Sequence, residues 1–150
     1  MTLTLSQTDP RSPGAMALLQ ASHALMQSLF KAEHCQYLSV DALCAPHIQF
    51  VVAYRDGTAA GCGALARQNG YGELKSMFVD PGSRGTGTAD ALLAHIEMLA
   101  RDLDLPLLRL ETGTPLTAAL SLYTRHGFQR RGPFGGYSAS PFSVFMEKTL

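Results

Sequence analysis

The sequence predicts an α+β (mixed α/β) fold, with one central sheet and helices on both of its faces. Three observations carry that reading. Apolar residues alternate or cluster in strand-length blocks at Ile48–Tyr54, Ala59–Arg67, Glu73–Val79 and Leu105–Glu111. Helical spacing appears before and between these blocks, at Met16, Leu19, Leu25 and Leu29 and again at Leu92, Ile96, Leu99 and Leu103. The Asp56-Gly57 pair between the first two blocks marks a hairpin, so those two strands lie side by side.

The elements follow in order. Thr2–Ser6 reads as an edge strand, ended by the Pro- and Gly-containing run from Thr8 to Gly14. Ala15 to about Leu29 reads as a helix. Phe30–Ala45 reads as a second helical region, with Ser39 or Asp41 as N-cap ahead of Leu43. The strand Ala59–Arg67 is built of small residues through Ala64, which lets something approach closely. A neighbouring helix and a bound group are both open there. Asn69–Gly72 turns the chain into Glu73–Val79, and Leu105–Glu111 is a buried type of strand. Thr114-Pro115 supplies an N-cap and a first-turn proline to a helix that runs to about His126 and stops at Gly127. Phe128–Arg131 and Phe142–Lys148 form a last strand pair around the loop Gly132–Pro141. With no repeat, linker or low-complexity stretch, residues 1–150 are expected to form one domain.

Composition excludes several function classes. Twelve basic residues balance twelve acidic ones without a basic cluster, so a nucleic-acid partner is not expected. The three cysteines (Cys35, Cys44, Cys62) lack a framework spacing and read as reduced thiols of a cytoplasmic protein, with one reactive thiol left open. The start of the chain lacks the pattern of a signal peptide, and no apolar run is long enough to span a membrane. The scattered histidines have no metal-ligand spacing, so no metal is expected.

The richest segment joins a strand, a Gly- and hydroxyl-rich loop and an amphipathic helix. Such a junction gathers unpaired N–H groups and the positive end of a helix dipole, which suits phosphate. A Walker A loop fails because Thr88 stands where the lysine is needed. A dinucleotide fingerprint is weakened because Asp90 takes the third small position, although Glu111 lies at about the ribose-binding distance. What fits is Arg84-Gly85-Thr86-Gly87-Thr88-Ala89 after Met77-Phe78-Val79-Asp80-Pro81. This resembles the acetyl-CoA loop of the GNAT N-acetyltransferase superfamily. Leu122-Tyr123-Thr124-Arg125-His126-Gly127-Phe128 resembles that superfamily's Leu-Tyr-x-x-x-Gly-Phe segment. Leu110–Gly113 and Ser143–Lys148 are similar to a bacterial branch of it. The resemblance spans roughly residues 48–150, about two thirds of the chain.

The resemblance implies a GNAT-like acyl-CoA N-acyltransferase fold with a mostly antiparallel sheet. It also implies transfer of an acetyl group from acetyl-CoA to a primary amine of a small molecule. Amides from Arg84 to Ala89 would wrap the pyrophosphate, since Gly85 and Gly87 let the backbone come close. Met77, Phe78 and Val79 would line the cofactor through their backbone, with the Met77 N–H facing the thioester oxygen; their side chains are equally consistent with plain core. Tyr123 would donate a proton to the departing sulfur, the alternative being a core tyrosine bonded to backbone. Glu73 would act as base through water, or be a solvated glutamate at a strand end. Thr112 and Gly113 stand where many relatives carry asparagine. The first 45 residues and loop Gly132–Pro141 would shape the acceptor pocket, where Glu33, His34 and Tyr37 are polar enough to hold a small amine and Tyr137 could close over it, the alternative being a solvated surface. A homodimer is open. The rival reading is a CoA-binding regulator of the same fold without turnover.

Overall fold

The computed structural model describes residues 2–150. Seven strands form one sheet: β1 (Leu3–Gln7), β2 (Ile48–Arg55), β3 (Thr58–Arg67), β4 (Gly72–Val79), β5 (Leu107–Gly113), β6 (Gln129–Arg131) and β7 (Ser143–Thr149). Their spatial order is β1-β2-β3-β4-β5-β7-β6, and only β4 and β5 run parallel. At the β2–β3 hairpin Asp56 and Gly57 take φ of 50° and 83°, the pair of left-handed residues that matches strand twist.

Four α-helices cover the sheet: α1 (Pro13–Leu29), α2 (Val40–Leu43), α3 (Thr88–Asp102) and α4 (Thr117–Arg125). On one face Leu92, Leu93, Ile96 and Ala100 of α3 and Leu122 and Tyr123 of α4 pack on Val51, Leu65, Leu74, Leu108 and Leu110. On the other, Ala15, Leu18 and Leu19 of α1 and Leu43 of α2 pack on Phe50, Val52, Cys62, Ala64 and Phe78. The small residues of β3 serve this packing. A Cβ at Gly61 would lie 3.1 Å from Leu92, and one at Gly63 would lie 2.8 Å from Ile96 and 2.6 Å from Met77. The close neighbour is therefore helix α3, together with Met77.

Several expectations need correction. Phe30–Ala45 is not a helix beyond Val40–Leu43 and a 3-10 turn at Ala32–His34. Phe30 leaves α1 with extended backbone, and its ring is buried over Gly113, which draws the chain out of the helical path. Ser39 is the N-cap of α2, accepting the Ala42 N–H at 3.1 Å, while Asp41 lies in its first turn. Helix α4 begins at Thr117, not at Thr114-Pro115, because the Thr114 N–H is drawn to the Phe142 carbonyl at 3.1 Å beside β7. Gly127 ends α4 as expected, with φ 90°. The Gly127 and Phe128 N–H groups donate to Thr124 and Tyr123 carbonyls at 3.1 and 3.0 Å, closing a Schellman motif.

Candidate active site

Strands β4 and β5 pair only over Gly72–Leu74 with Leu108–Leu110, and beyond that point β4 has no partner on its β5 side. The Asp80 N–H donates to the Ala60 carbonyl at 2.8 Å. Backbone groups alternate in direction along a strand, so those of Met77 and Val79 face the open side. A bulge sits just before them. Ser76 takes φ 56°, and one residue of β3 spans two of β4 between the pairs Cys62–Phe78 and Ala64–Lys75. Met77 and Val79 pack toward α3, whereas Phe78 is buried on the α1 face. Any role of these three toward a ligand belongs to their backbone.

The loop at the end of β4 is rigid by its own hydroxyl groups. Asp80 accepts the Gly82 N–H at 3.1 Å, and the Ser83 hydroxyl accepts from Arg55 at 3.1 Å. Thr86 donates to the Ser83 carbonyl and lies 2.9 Å from the Thr88 hydroxyl. Gly85 and Gly87 take φ of 74° and 83°, and a Cβ on either would meet nothing within 4 Å. Helix α3 has no side-chain N-cap, and its first intrahelical bond is from Ala91 to Gly87 at 3.0 Å. The amides of the first turn are thus left to an incoming acceptor, with the exposed Arg84 at the loop's start. This open, donor-rich cradle fits the diphosphate of coenzyme A.

Asp90, which argued against a dinucleotide, has a structural partner. Its carboxylate lies 2.8 Å from His126 Nε2 and 3.2 Å from Arg125, tying the start of α3 to the end of α4. The His126 bond, aided by Arg125, holds the Asp90 carboxyl below its ordinary value of 3.8. A depressed carboxylate pKa stabilises the fold above the unfolded value, and that contribution is lost as pH falls through the folded one. Asp90→Asn is therefore expected to cost roughly 0.5 kcal/mol at neutral pH, as for a half-exposed pair. The difference from the parent should shrink in urea melts as pH falls below 3.8 and vanish once the folded carboxyl is itself protonated.

Tyr123 sits one turn before the Gly127 stop. It is 5% exposed, with its ring edge-on to Phe128 at 5.8 Å. Its hydroxyl makes no hydrogen bond to any described residue. Burial, and then the nearby charge of Glu111, push its pKa up, which keeps the proton on the oxygen.

Glu73 is not a solvated strand-end residue. It is 6% exposed, and its Oε2 accepts from the Tyr137 hydroxyl at 2.5 Å and lies 3.3 Å from Lys75 Nζ. Lys75 in turn donates to the Tyr137 oxygen at 2.6 Å and to the Gln36 carbonyl at 3.2 Å. Glu111 joins the group from β5. Ser143 donates to it at 2.8 Å, while burial first and the charge of Glu73 next raise its pKa. Sequence reading missed Lys75 and gave Glu111 another role. The available signal was Lys75 two positions after Glu73, hence on the same side of the strand.

The acceptor residues expected from the first 45 have partners of their own. Glu33 pairs with His34 at 3.6 Å, His34 packs on Phe142 at 4.6 Å, and Tyr37 stacks on His23 at 4.1 Å. That segment reaches the carboxylate group through the Gln36 carbonyl instead. At Gly113 a Cβ would run into the Phe30 ring, so asparagine does not fit this chain. Gly113→Asn is expected to destabilise by roughly 1–3 kcal/mol, seen as a lowered Tm. Cys62 is buried, and its thiol is pushed up to about 12, so it carries no thiolate at neutral pH. Among the described residues no cluster could hold a metal ion, and no helix is long and apolar enough to cross a membrane. A surface hollow of about 490 Å³ beside Asp9, Arg11 and Cys44 touches none of the site residues. The site is defined by splayed strands rather than by that hollow.

Splayed strands, an open glycine loop and a buried tyrosine are the features of this site. Residues 17–128 match the acetyltransferase (GNAT) family, and the chain belongs to that family. It is 41% identical over 150 residues to a protein of Azospirillum brasilense named IAA acetyltransferase, covering 99% of this chain and 98% of that one. It is 37% identical over 152 residues to the Escherichia coli N-acetyltransferase YedL, covering 98% and 94%. Among solved structures, an acyl-CoA N-acyltransferase from Klebsiella pneumoniae superposes with a TM-score of 0.83 at 36% identity, covering 99% of this chain and 97% of that one. The PaiA N-acetyltransferase of Thermoplasma acidophilum, solved with coenzyme A, shares the fold at 15% identity and a TM-score of 0.77 over the full length of both.

Proposed function

We propose that this acetyltransferase moves an acetyl group from acetyl-CoA to a primary amine of a small molecule by direct attack on the thioester. The observation that carries the proposal is the junction of an open glycine cradle, unpaired β4 backbone and an unbonded tyrosine hydroxyl at one end of the sheet. Arg84 to Ala89 would hold the diphosphate, and the free groups of Met77 and Val79 would pair with the amide-like arm of the cofactor. The Met77 N–H would face the thioester oxygen, and a donor placed there is worth on the order of 3 kcal/mol as negative charge develops. The neutral amine adds to the carbonyl carbon, the C–S bond breaks, and Tyr123 gives its proton to the leaving sulfur. The proton lost by the amine passes to the carboxylates. Glu73 is the proposed base, and Glu111 beside it, with its raised pKa, is suited to receive the proton in turn. The protein would work in the cytoplasm as a single domain.

The test is release of free thiol from acetyl-CoA across a panel of primary amines. IAA, from which the Azospirillum relative takes its name, is assayed beside that panel as a separate acceptor. Turnover with at least one amine, rising with pH as that amine loses its proton, is the expected result. Thiol release that no acceptor accelerates would overturn it. Once an acceptor is found, Glu73→Gln should lower kcat/KM by at least tenfold, since a general base contributes ~10²–10⁴-fold. A smaller loss would leave Glu73 a purely structural carboxylate.

A further inference from the structure

Loop Gly132–Phe142 lies over the α1 face, and its parts are held differently. Phe134 is an anchor: it is 5% exposed and packs edge-on against Tyr71 and Phe145 at 5.7 and 5.8 Å. The guanidinium carbons of Arg109 and Arg131 each lie 5.8 Å from the centre of its ring. Both arginines are fixed in turn by Glu147, at 2.7 and 2.6 Å. Two glycines follow at once. Gly135 takes φ 56°, while a Cβ at Gly136 would meet nothing within 4 Å. Tyr137 comes next, and its hydroxyl spans Lys75 and Glu73, 62 and 64 residues away in sequence. The segment therefore consists of a buried anchor, a permissive pair of residues and a polar clasp.

The clasp occupies one of the two oxygens of the carboxylate proposed as base. Oε2 of Glu73 takes both the Tyr137 hydroxyl and Lys75 Nζ, and the three donors of Lys75 are taken by Tyr137, Glu73 and the Gln36 carbonyl. A group reaching that oxygen must displace the tyrosine. Lifting Tyr137 by rotation at Gly135 and Gly136 breaks its N–H bond to the Phe134 carbonyl (3.1 Å) and its ring contacts with Phe134 and Phe145 at 5.1 and 5.6 Å, but Phe134 stays seated on Tyr71 and Phe145.

We propose that Tyr137 is the gate between the acceptor and Glu73, a positioning residue that closes the acceptor side by its bond to that carboxylate and opens by rotation at Gly135–Gly136. This inference rests on the proposed acetyl transfer, and its test separates the two. Hydrogen exchange is followed in the full chain for the amides of residues 134–149, in the parent, in Tyr137→Phe and in Gly136→Ala, with folding checked by thermal melts. Removing the hydroxyl should speed exchange at residues 135–140 by tenfold or more and leave Phe134 and β7 unchanged. Gly136→Ala, which fits the open space but narrows the backbone's choices, should slow it. No change in either variant, or faster exchange spread through the whole β6–β7 hairpin, would overturn the gate. In the same proteins, release of thiol from acetyl-CoA with water as the only acceptor should rise several-fold in Tyr137→Phe, because the site no longer closes. A fall would place Tyr137 in the chemistry itself and overturn its role as a gate. A parent with no turnover at all would end the functional proposal, while the exchange result would still decide the gate.

Discussion

Gly87→Val is expected to weaken acetyl-CoA binding a hundredfold or more, about 2.8 kcal/mol, with the sheet left intact. Two effects act together. Gly87 sits at φ 83°, where a β-branched residue is strained by roughly 1–2 kcal/mol, so the loop would leave its present path. The valine side chain would also fill the open space above the loop, where the amides of the first α3 turn look out. Gly70 provides the control. It has φ of 85° and equally open surroundings, but lies in the β3–β4 turn, at the opposite end of β4 from the loop. Gly70→Val should cost similar stability in urea melts and leave acetyl-CoA affinity unchanged in calorimetric titration. Equal affinity in Gly87→Val and Gly70→Val would put the phosphate elsewhere on the protein.

Tyr123→Phe should lower kcat by ~10²-fold, with acetyl-CoA affinity changed by no more than a few-fold. The substitution keeps the ring, its contact with Phe128 and its burial under α4. It removes a hydroxyl that bonds to no described residue, so stability should hold or rise slightly rather than fall by the usual cost of a lost bond. What goes is a proton donor needed only as charge builds on the sulfur, and such an interaction appears in kcat rather than in ground-state binding. Steady-state rates and Tm for both proteins check the two halves. An unchanged rate with a Tm lower by several degrees would make the hydroxyl structural.

Much of this was legible because it is encoded locally. The Asp56-Gly57 turn, the Gly85 and Gly87 spacing and the Gly127 stop each need a backbone conformation that few residues tolerate, so the residues announce the geometry. Strands β2 to β4 and helix α3 follow from apolar periodicity of the right length. The failures have the opposite cause. Phe30 turns out of α1 because its ring finds Gly113, a contact between distant segments. Helix α4 starts late because Thr114 is tied to Phe142. The sequence leaves Glu73 open between a base and a solvated carboxylate because Tyr137, which bonds to it, lies 64 residues on, where no local pattern points. Glu33, His34 and Tyr37 were chosen for polarity alone, and polarity carries no direction.

The central claim, that the Arg84–Ala89 loop is a coenzyme A cradle, is tested most directly by thermal melts of the parent protein with acetyl-CoA, CoA, NAD and ATP in parallel. At a hundredfold excess over the dissociation constant, acetyl-CoA or CoA should stabilise the fold by about 2.7 kcal/mol. NAD and ATP should leave Tm where it was. A shift with NAD or ATP and none with either form of coenzyme A would contradict the account.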